Sequence, residues 1–388
     1  MRLNPLSCHT PAAPIDVVRA WPASSAPGEA LDLSQAGPPA PTDPGLLAHL
    51  AMGAGVAKTA NYAPLLGLPA LRSALAEATQ ARYGGTIQPS QVAITAGCNQ
   101  AFCAAMGALA QAGDEVILPL PYYFNHAMWL EMQGIRAIHL PFAMESGGVP
   151  SLEAAAAAIT PRTRALVLVT PNNPTGAVYP PEALAAFYRL AHEADIALVV
   201  DETYRDFLPG QDPPHGLFQE PHWPETLIQL YSFSKAYALP GYRVGALIAG
   251  EALLAQVSKF QDCIAICAPH LGQEGALYGL EHAQQWLAHQ RQRLAARAST
   301  LSEGLANHTP YRVVATGVYF AYVRHPYSHP AMAVAEHLWR RAKLRILPGS
   351  AFGPGQEAFL RLALANLDDA GLATLVDRLA RAGGPGTP

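Results

Sequence analysis

Lysine is scarce in this 388-residue chain: it occurs only at Lys58, Lys235, Lys259 and Lys343, and charged residues make up 14% of the whole. A formal net charge of −4 gives no electrostatic reason to expect a nucleic acid or an anionic membrane as partner, so a small-molecule partner is expected. Long apolar runs are also missing. None approaches the ~18–20 residues that a membrane-crossing helix needs. Residues 1–14 carry neither a basic stretch nor the apolar stretch that directs secretion, so a cytoplasmic location is expected. Cysteine is sparse and odd in number. Cys8, Cys98, Cys103, Cys263 and Cys267 contain no C-x-x-C pair, which argues against a disulfide framework or a zinc ribbon. Cys263 and Cys267 would share a helical face, but only His270 lies close, short of the four ligands of a closed zinc site, so no metal is expected.

What the chain does have is size and apolar residues. At 50% apolar content it is globular, and single cores stop growing near ~250–300 residues, so two domains are expected. The first 45 residues are rich in Pro and Ala, with turn signals at Pro22, Pro27-Gly28, Gly37-Pro38-Pro39 and Pro44. They read as an arm crossing a surface, with little core of its own. From Leu46 helical patterns alternate with short β-branched runs at 92–95, 115–118, 136–140, 165–170, 196–201, 227–231 and 244–249. The runs are continuously apolar, as strands covered on both faces of a mainly parallel sheet are. Residues 284–307 form a long helical pattern that leads out of this sheet. The expected architecture is therefore α/β: a large domain over 46–283, with helices on both faces of a mainly parallel sheet, and a smaller α+β domain from 1–45 and 284–388. The tail 383–388 is expected to be disordered.

Ligands of such sheets bind beyond the carboxyl ends of the strands, and most of these runs end in polar residues. The first leads into Gly97-Cys98-Asn99-Gln100 at the start of an apolar helix, where free backbone N–H groups and the helix dipole suit an anion such as phosphate. The fourth ends in Pro171-Asn172-Asn173-Pro174-Thr175-Gly176, and the fifth in Asp201-Glu202-Thr203-Tyr204. A crossover connection places those two turns side by side. The sixth leads into Ser232-Phe233-Ser234-Lys235, followed by Pro240-Gly241-Tyr242-Arg243-Val244-Gly245. In a chain with so few lysines, one at a strand end beside two serines and a following arginine is a candidate for chemistry.

S-x-S-K followed by P-G-x-R-x-G, preceded at ordered distances by N-N-P-T-G and D-x-x-Y, resembles the class I/II aminotransferases among the fold-type I pyridoxal-phosphate enzymes. The match runs from about Asn61 to Arg361. The resemblance implies pyridoxal 5′-phosphate as cofactor, held as a Schiff base on Lys235, which then serves as general base and acid. Asp201 would keep the pyridine nitrogen protonated, so that the ring can accept electrons. Asn173 and Tyr204 would bond the cofactor's 3′-oxygen, and Tyr123 would stack on the ring, with Tyr122 as its rival. Gly97, Cys98, Asn99, Ser232, Ser234 and Arg243 would hold the phosphate, Arg243 with a two-pronged grip. Tyr62 resembles the tyrosine that reaches the phosphate from a neighbouring subunit, which implies a homodimer. Arg361 matches the arginine that clamps the substrate α-carboxylate, with Asn173 beside it. Ala36-Gly37 lies where the family often has Gly-x-Pro lining the substrate side.

The expected reaction is amino-group transfer from an amino acid to a 2-oxo acid. A lyase on the same fold, cleaving Cβ–S or closing a cyclopropane ring, would use the same Lys235, Asp201 and Arg243. A cofactor-sensing regulator would add a basic helix-turn-helix segment, which the barely charged first 45 residues do not provide. The stretch 261–272 resembles the loop from which aspartate-specific enzymes supply a second carboxylate-binding arginine, and here it holds no Arg or Lys. A neutral or aromatic donor is therefore expected, with 2-oxoglutarate or pyruvate as acceptor. Gly53-Ala54-Gly55-Val56-Ala57-Lys58-Thr59 superficially resembles a nucleotide loop but lacks the glycine before lysine and the preceding strand. Cys98, at a helix start that can activate a thiol, reads as inert packing.

Overall fold

The seven β-branched runs all become strands of one sheet. The computed structural model describes residues 1–22, 30–210 and 212–386; the turn signal at Pro27-Gly28 and the last two residues of the tail lie outside the described residues. In chain order the strands are β1 (Leu31–Asp32), β2 (Val92–Thr95), β3 (Glu115–Pro119), β4 (Arg136–Leu140), β5 (Thr163–Val169), β6 (Ala197–Asp201) and β7 (Leu227–Ser232). There follow β8 (Gly245–Ile248), β9 (Arg312–Thr316), β10 (Phe320–Arg324), β11 (Leu344–Arg345), β12 (Leu347–Pro348) and β13 (Phe359–Ala363).

The large sheet has the order β2-β8-β7-β6-β5-β3-β4. Its strands are parallel except β8, which runs against both β2 and β7. Parallel strands need a long crossover, and β8 follows β7 after only the short 233–244 connection, so it returns antiparallel. Alternation along each strand divides the apolar residues between two cores. Leu166 and Leu168 of β5 and Leu198 and Val200 of β6 face one core. Ala165, Val167, Ala197 and Val199 face the other. Helix Cys98–Leu109 covers the second face with Ala101, Phe102 and Ala105, and helix Glu251–Ala265 adds Leu254 and Val257. Helices Pro69–Tyr83 and Pro181–Glu193 cover the first, through Leu71, Leu75, Leu184 and Phe187.

Helix Gln284–His308 leads to a four-stranded antiparallel sheet of order β12-β13-β10-β9. The stretch 312–323 is thus a pair of antiparallel strands. The arm is more than a surface crossing. It contains the helices Pro5–His9 and Pro14–Arg19, pairs β1 with β11, and buries Val18 and Leu33 completely. Val18 packs with Phe124, Tyr322, Leu347, Phe352 and Phe359; isolated apolar residues in a Pro-rich stretch gain burial from surfaces supplied by distant parts of the chain. In the tail, Gly384 is buried, and a side chain there would collide with the Tyr327 ring 2.5 Å away.

Register places the site. Val169 of β5 pairs with Asp201 of β6, Asp201 with Leu230 of β7, Ser232 with Gly245 of β8, and Gly245 with Thr95 of β2. The turns after β5, β6, β7 and β2 therefore open at one edge of the sheet, together with the segment entering β8.

Candidate active site

A cavity of about 430 Å³ opens at that edge. Cys98, Asn99, Tyr123, Asn173, Asp201, Tyr204, Ser232, Ser234, Lys235, Arg243 and Arg361 all line it. Gly97 caps the helix Cys98–Leu109 with φ +88°, a conformation suited to glycine. A Cβ there would lie 2.2 Å from Arg243 Nη2, and one on Gly245 would lie 2.5 Å from the Cys98 nitrogen. The two glycines thus let β8 and the Arg243 guanidinium close onto the helix start. Arg243 lines the cavity and donates from Nη1 to the Pro240 carbonyl at 3.0 Å and from Nη2 to the Ala96 carbonyl at 3.4 Å.

Lys235 sits in the short helix Phe233–Ala236, capped by the Ser232 hydroxyl, which accepts from the Ser234 N–H at 3.2 Å. Its Nζ donates to the Ala36 carbonyl at 2.6 Å. Burial, reinforced by Arg361 and Arg243, pushes its pKa down to about 8. Desolvation and like charge both favour the neutral amine, the nucleophilic form.

Asp201 is buried, and Oδ1 accepts from the Thr203 N–H at 3.0 Å and the Thr203 hydroxyl at 2.7 Å. Its Oδ2 lies 3.5 Å from Nε2 of His126, whose ring stacks on Phe102 at 3.9 Å. His126 and Thr203 were not anticipated from the sequence. One lies two residues from Asp201 in the strand-end turn, but His126 sits on a helix far away in sequence, with nothing in its local pattern to connect it. Cys98 Sγ lies 3.8 Å from Asp201 Oδ1, and burial followed by that carboxylate raises the thiol pKa well above its usual value.

Tyr123 lines the cavity with its hydroxyl 3.4 Å from Asn99 Oδ1. Tyr122 packs instead beside Gly353 and His139. Tyr204 is buried against Tyr319 and Phe320. Arg361, 2% exposed, donates from Nη1 to Asn173 Oδ1 at 3.1 Å and from Nη2 to the Ser34 carbonyl. Its guanidinium lies 4.8 Å from the Phe320 ring and 5.2 Å from that of Phe352, and burial brings its pKa down to about 10. Its Nε is buried without a partner among the described residues. Tyr62 does not join the group: it is 76% exposed on the outside of the chain.

Residues 53–379 match the family model for aminotransferase class I and II. The chain belongs to this family. It is a pyridoxal-phosphate-dependent aminotransferase. Similar proteins include the arginine–pyruvate transaminase of Pseudomonas aeruginosa, 31% identical over 87% of this chain and 86% of that protein. The aspartate/prephenate aminotransferase of Thermus thermophilus is also 31% identical, over 83% of each. The solved Thermus thermophilus aspartate aminotransferase with maleate superposes with a TM-score of 0.88 at 27% identity, covering 98% of this chain and all of that one. The aminotransferase has the expected α/β fold with a mainly parallel sheet.

The residues present fit the cofactor. A half-buried lysine with a depressed pKa can condense with an aldehyde, a buried carboxylate can hold a cationic ring nitrogen, and a glycine-lined helix start beside an arginine can cradle a phosphate. The orphaned Arg361 Nε in the cavity wall leaves a donor for an incoming carboxylate.

Proposed function

We propose that Lys235, Asp201, Asn173, Tyr204, Arg243 and Arg361 divide the work of moving an amino group between an amino acid and a 2-oxo acid. The carrying observation is that one cavity holds a lysine with a pKa near 8, a buried carboxylate and a buried arginine that has no carboxylate partner among the described residues. Bound pyridoxal phosphate supplies an aldehyde that takes up amines and a ring that accepts electrons. Arg243, Ser232, Ser234 and the N–H groups of Cys98 and Asn99 anchor its phosphate beside Gly97. Asp201 keeps the proton on the ring nitrogen, and Thr203 and His126 hold Asp201 in place. Asn173 and Tyr204 would hydrogen-bond the cofactor's 3′-oxygen, and Tyr123 would cover its ring, since all three line the cavity. Arg361 grips the substrate α-carboxylate, which fixes the Cα–H bond near Lys235. The neutral Lys235 amine, in the same cavity, would take up and return the substrate's Cα proton.

Tyr62 belongs, in this reading, to the cavity of a second copy in a homodimer. Its exposure, and that of Leu47, Met52 and Val56 on the same stretch, supports a face covered by a partner. Residues 46–283 form the cofactor-binding domain, and 1–45 with 284–388 the second, a division supported by the placement of the seven-stranded sheet in one and the smaller sheets in the other. A neutral or aromatic donor is preferred to aspartate, supported by the uncharged stretch 261–272 apart from Asp262. An absorption spectrum of the purified protein tests the reading. A visible band that bleaches with an amino acid alone, and returns with a 2-oxo acid, is expected. A band that persists while the amino acid is cleaved would overturn the assigned division of work.

A further inference from the structure

Four cations line the cavity: Arg19, Lys235, Arg243 and Arg361. Three have work in the reading above, and Arg19 has none. We infer that Arg19 binds the distal carboxylate of a dicarboxylic 2-oxo acid, so that the acceptor is of the 2-oxoglutarate class rather than the pyruvate class. The inference rests on the proposed transfer reaction and adds to it the identity of the second substrate.

Arg19 closes the short helix Pro14–Arg19. Val18 pins that helix, fully buried among Phe124, Phe352 and Phe359. Ile15, Asp16 and Arg19 are thereby presented to the cavity wall. The Arg19 guanidinium is exposed, yet it is not loose: Nη2 donates to Gln35 Oε1 at 2.6 Å. That partner is neutral, and among the described residues no carboxylate lies within ion-pair distance of Arg19. A tethered, uncompensated cation at the wall of a substrate cavity invites an anion.

Gln35 also fixes where that anion would lie. Its neighbours hold the other two cations of the substrate side: the Ser34 carbonyl accepts from Arg361 and the Ala36 carbonyl from Lys235 Nζ. Consecutive residues advance at most ~3.6 Å, so the two carbonyls fall within about 7 Å of each other, and the residue between them, Gln35, is the one whose side chain tethers Arg19. A substrate held by Arg361 through its α-carboxylate, and reacting beside Lys235, extends its remaining carbons into this neighbourhood. Asp16, one turn before Arg19 and also on the wall, repels a second carboxylate and confines it to the Arg19 side. The uncharged wall offered by Ile15 and Ala36 accommodates a neutral donor in the other half of the cycle.

The test compares the return half-reaction of Arg19→Gln with that of the parent, using 2-oxoglutarate and pyruvate. The ratio of kcat/KM for 2-oxoglutarate over pyruvate is expected to fall at least ~10-fold, the loss of one charge-assisted hydrogen bond. A smaller fall overturns the inference. Arg19→Lys, which keeps the charge, should recover part of the ratio; the same loss in both variants would overturn a charge-based role. Equilibrium binding of glutarate against butyrate, followed in the visible spectrum, gives the same comparison without turnover: glutarate binding must weaken selectively in Arg19→Gln. A parent protein that returns the amino group to neither oxo acid would overturn the transfer reading itself, a result distinct from an unchanged ratio.

Discussion

Replacing Arg361 by leucine should change stability little and substrate capture greatly, and the two effects can be estimated separately. Arg361 is 2% exposed, and its side-chain partners are a neutral amide and a carbonyl. A pKa near 10 in place of 12.5 corresponds to roughly 3 kcal/mol held against the charged form. Leucine removes that penalty and keeps an apolar contact with Phe320 and Phe352, but leaves the Asn173 and Ser34 oxygens short of a donor, at about 1–3 kcal/mol each. The terms nearly offset, so the melting temperature should stay within roughly 5 °C of the parent. Binding has no such compensation. Two charge-assisted hydrogen bonds to a carboxylate, about 1.5–3 kcal/mol apiece, translate into a kcat/KM loss of roughly 10²–10⁴ for any α-amino acid. Paired thermal melts and steady-state kinetics check both. A large fall in melting temperature with kcat/KM within tenfold of the parent would refute the reasoning and make Arg361 a structural residue.

Three further outcomes follow from the site. The apo protein should take up pyridoxal phosphate faster as pH rises through about 8, because Lys235 is then about a quarter neutral at pH 7.5, against about 0.1% for an unperturbed lysine. The same depressed pKa means that the unfolded chain binds more protons between about 8 and 10.5, so this group's contribution to apo stability rises with pH across that window; stopped-flow uptake rates and pH-dependent melts measure the two, and uptake rising only toward pH 10 would show that burial does not act on Lys235 as described. Asp201→Asn should slow Cα proton removal by more than about 10²-fold, read as the isotope-sensitive decay of the visible band, since a neutral amide cannot hold the ring-nitrogen proton; the parent's rate in that variant would remove Asp201 from this role.

The sequence by itself determined the layered architecture and most of the cavity. Seven apolar β-branched runs could only be strands covered on both faces, and alternation within each run supplied both cores. Polar residues directly after those strands, from Gly97-Cys98-Asn99 to Arg243, were visible because their positions follow from strand ends alone. Tertiary structure decided what depends on distant segments meeting. Val18 and Leu33 gave no sign of burial in a Pro-rich arm, because the surfaces that bury them come from elsewhere in the chain. His126 reaches Asp201, and Ser34 reaches Arg361, across 75 and 327 positions respectively. That Tyr123 and not its neighbour Tyr122 lines the cavity was decided by how the chain enters the helix Phe124–Met132. Arg19 stands out in no sequence pattern because its neighbours in sequence are not its neighbours in space: the tether on Gln35 and the cavity it lines exist only once the arm has folded.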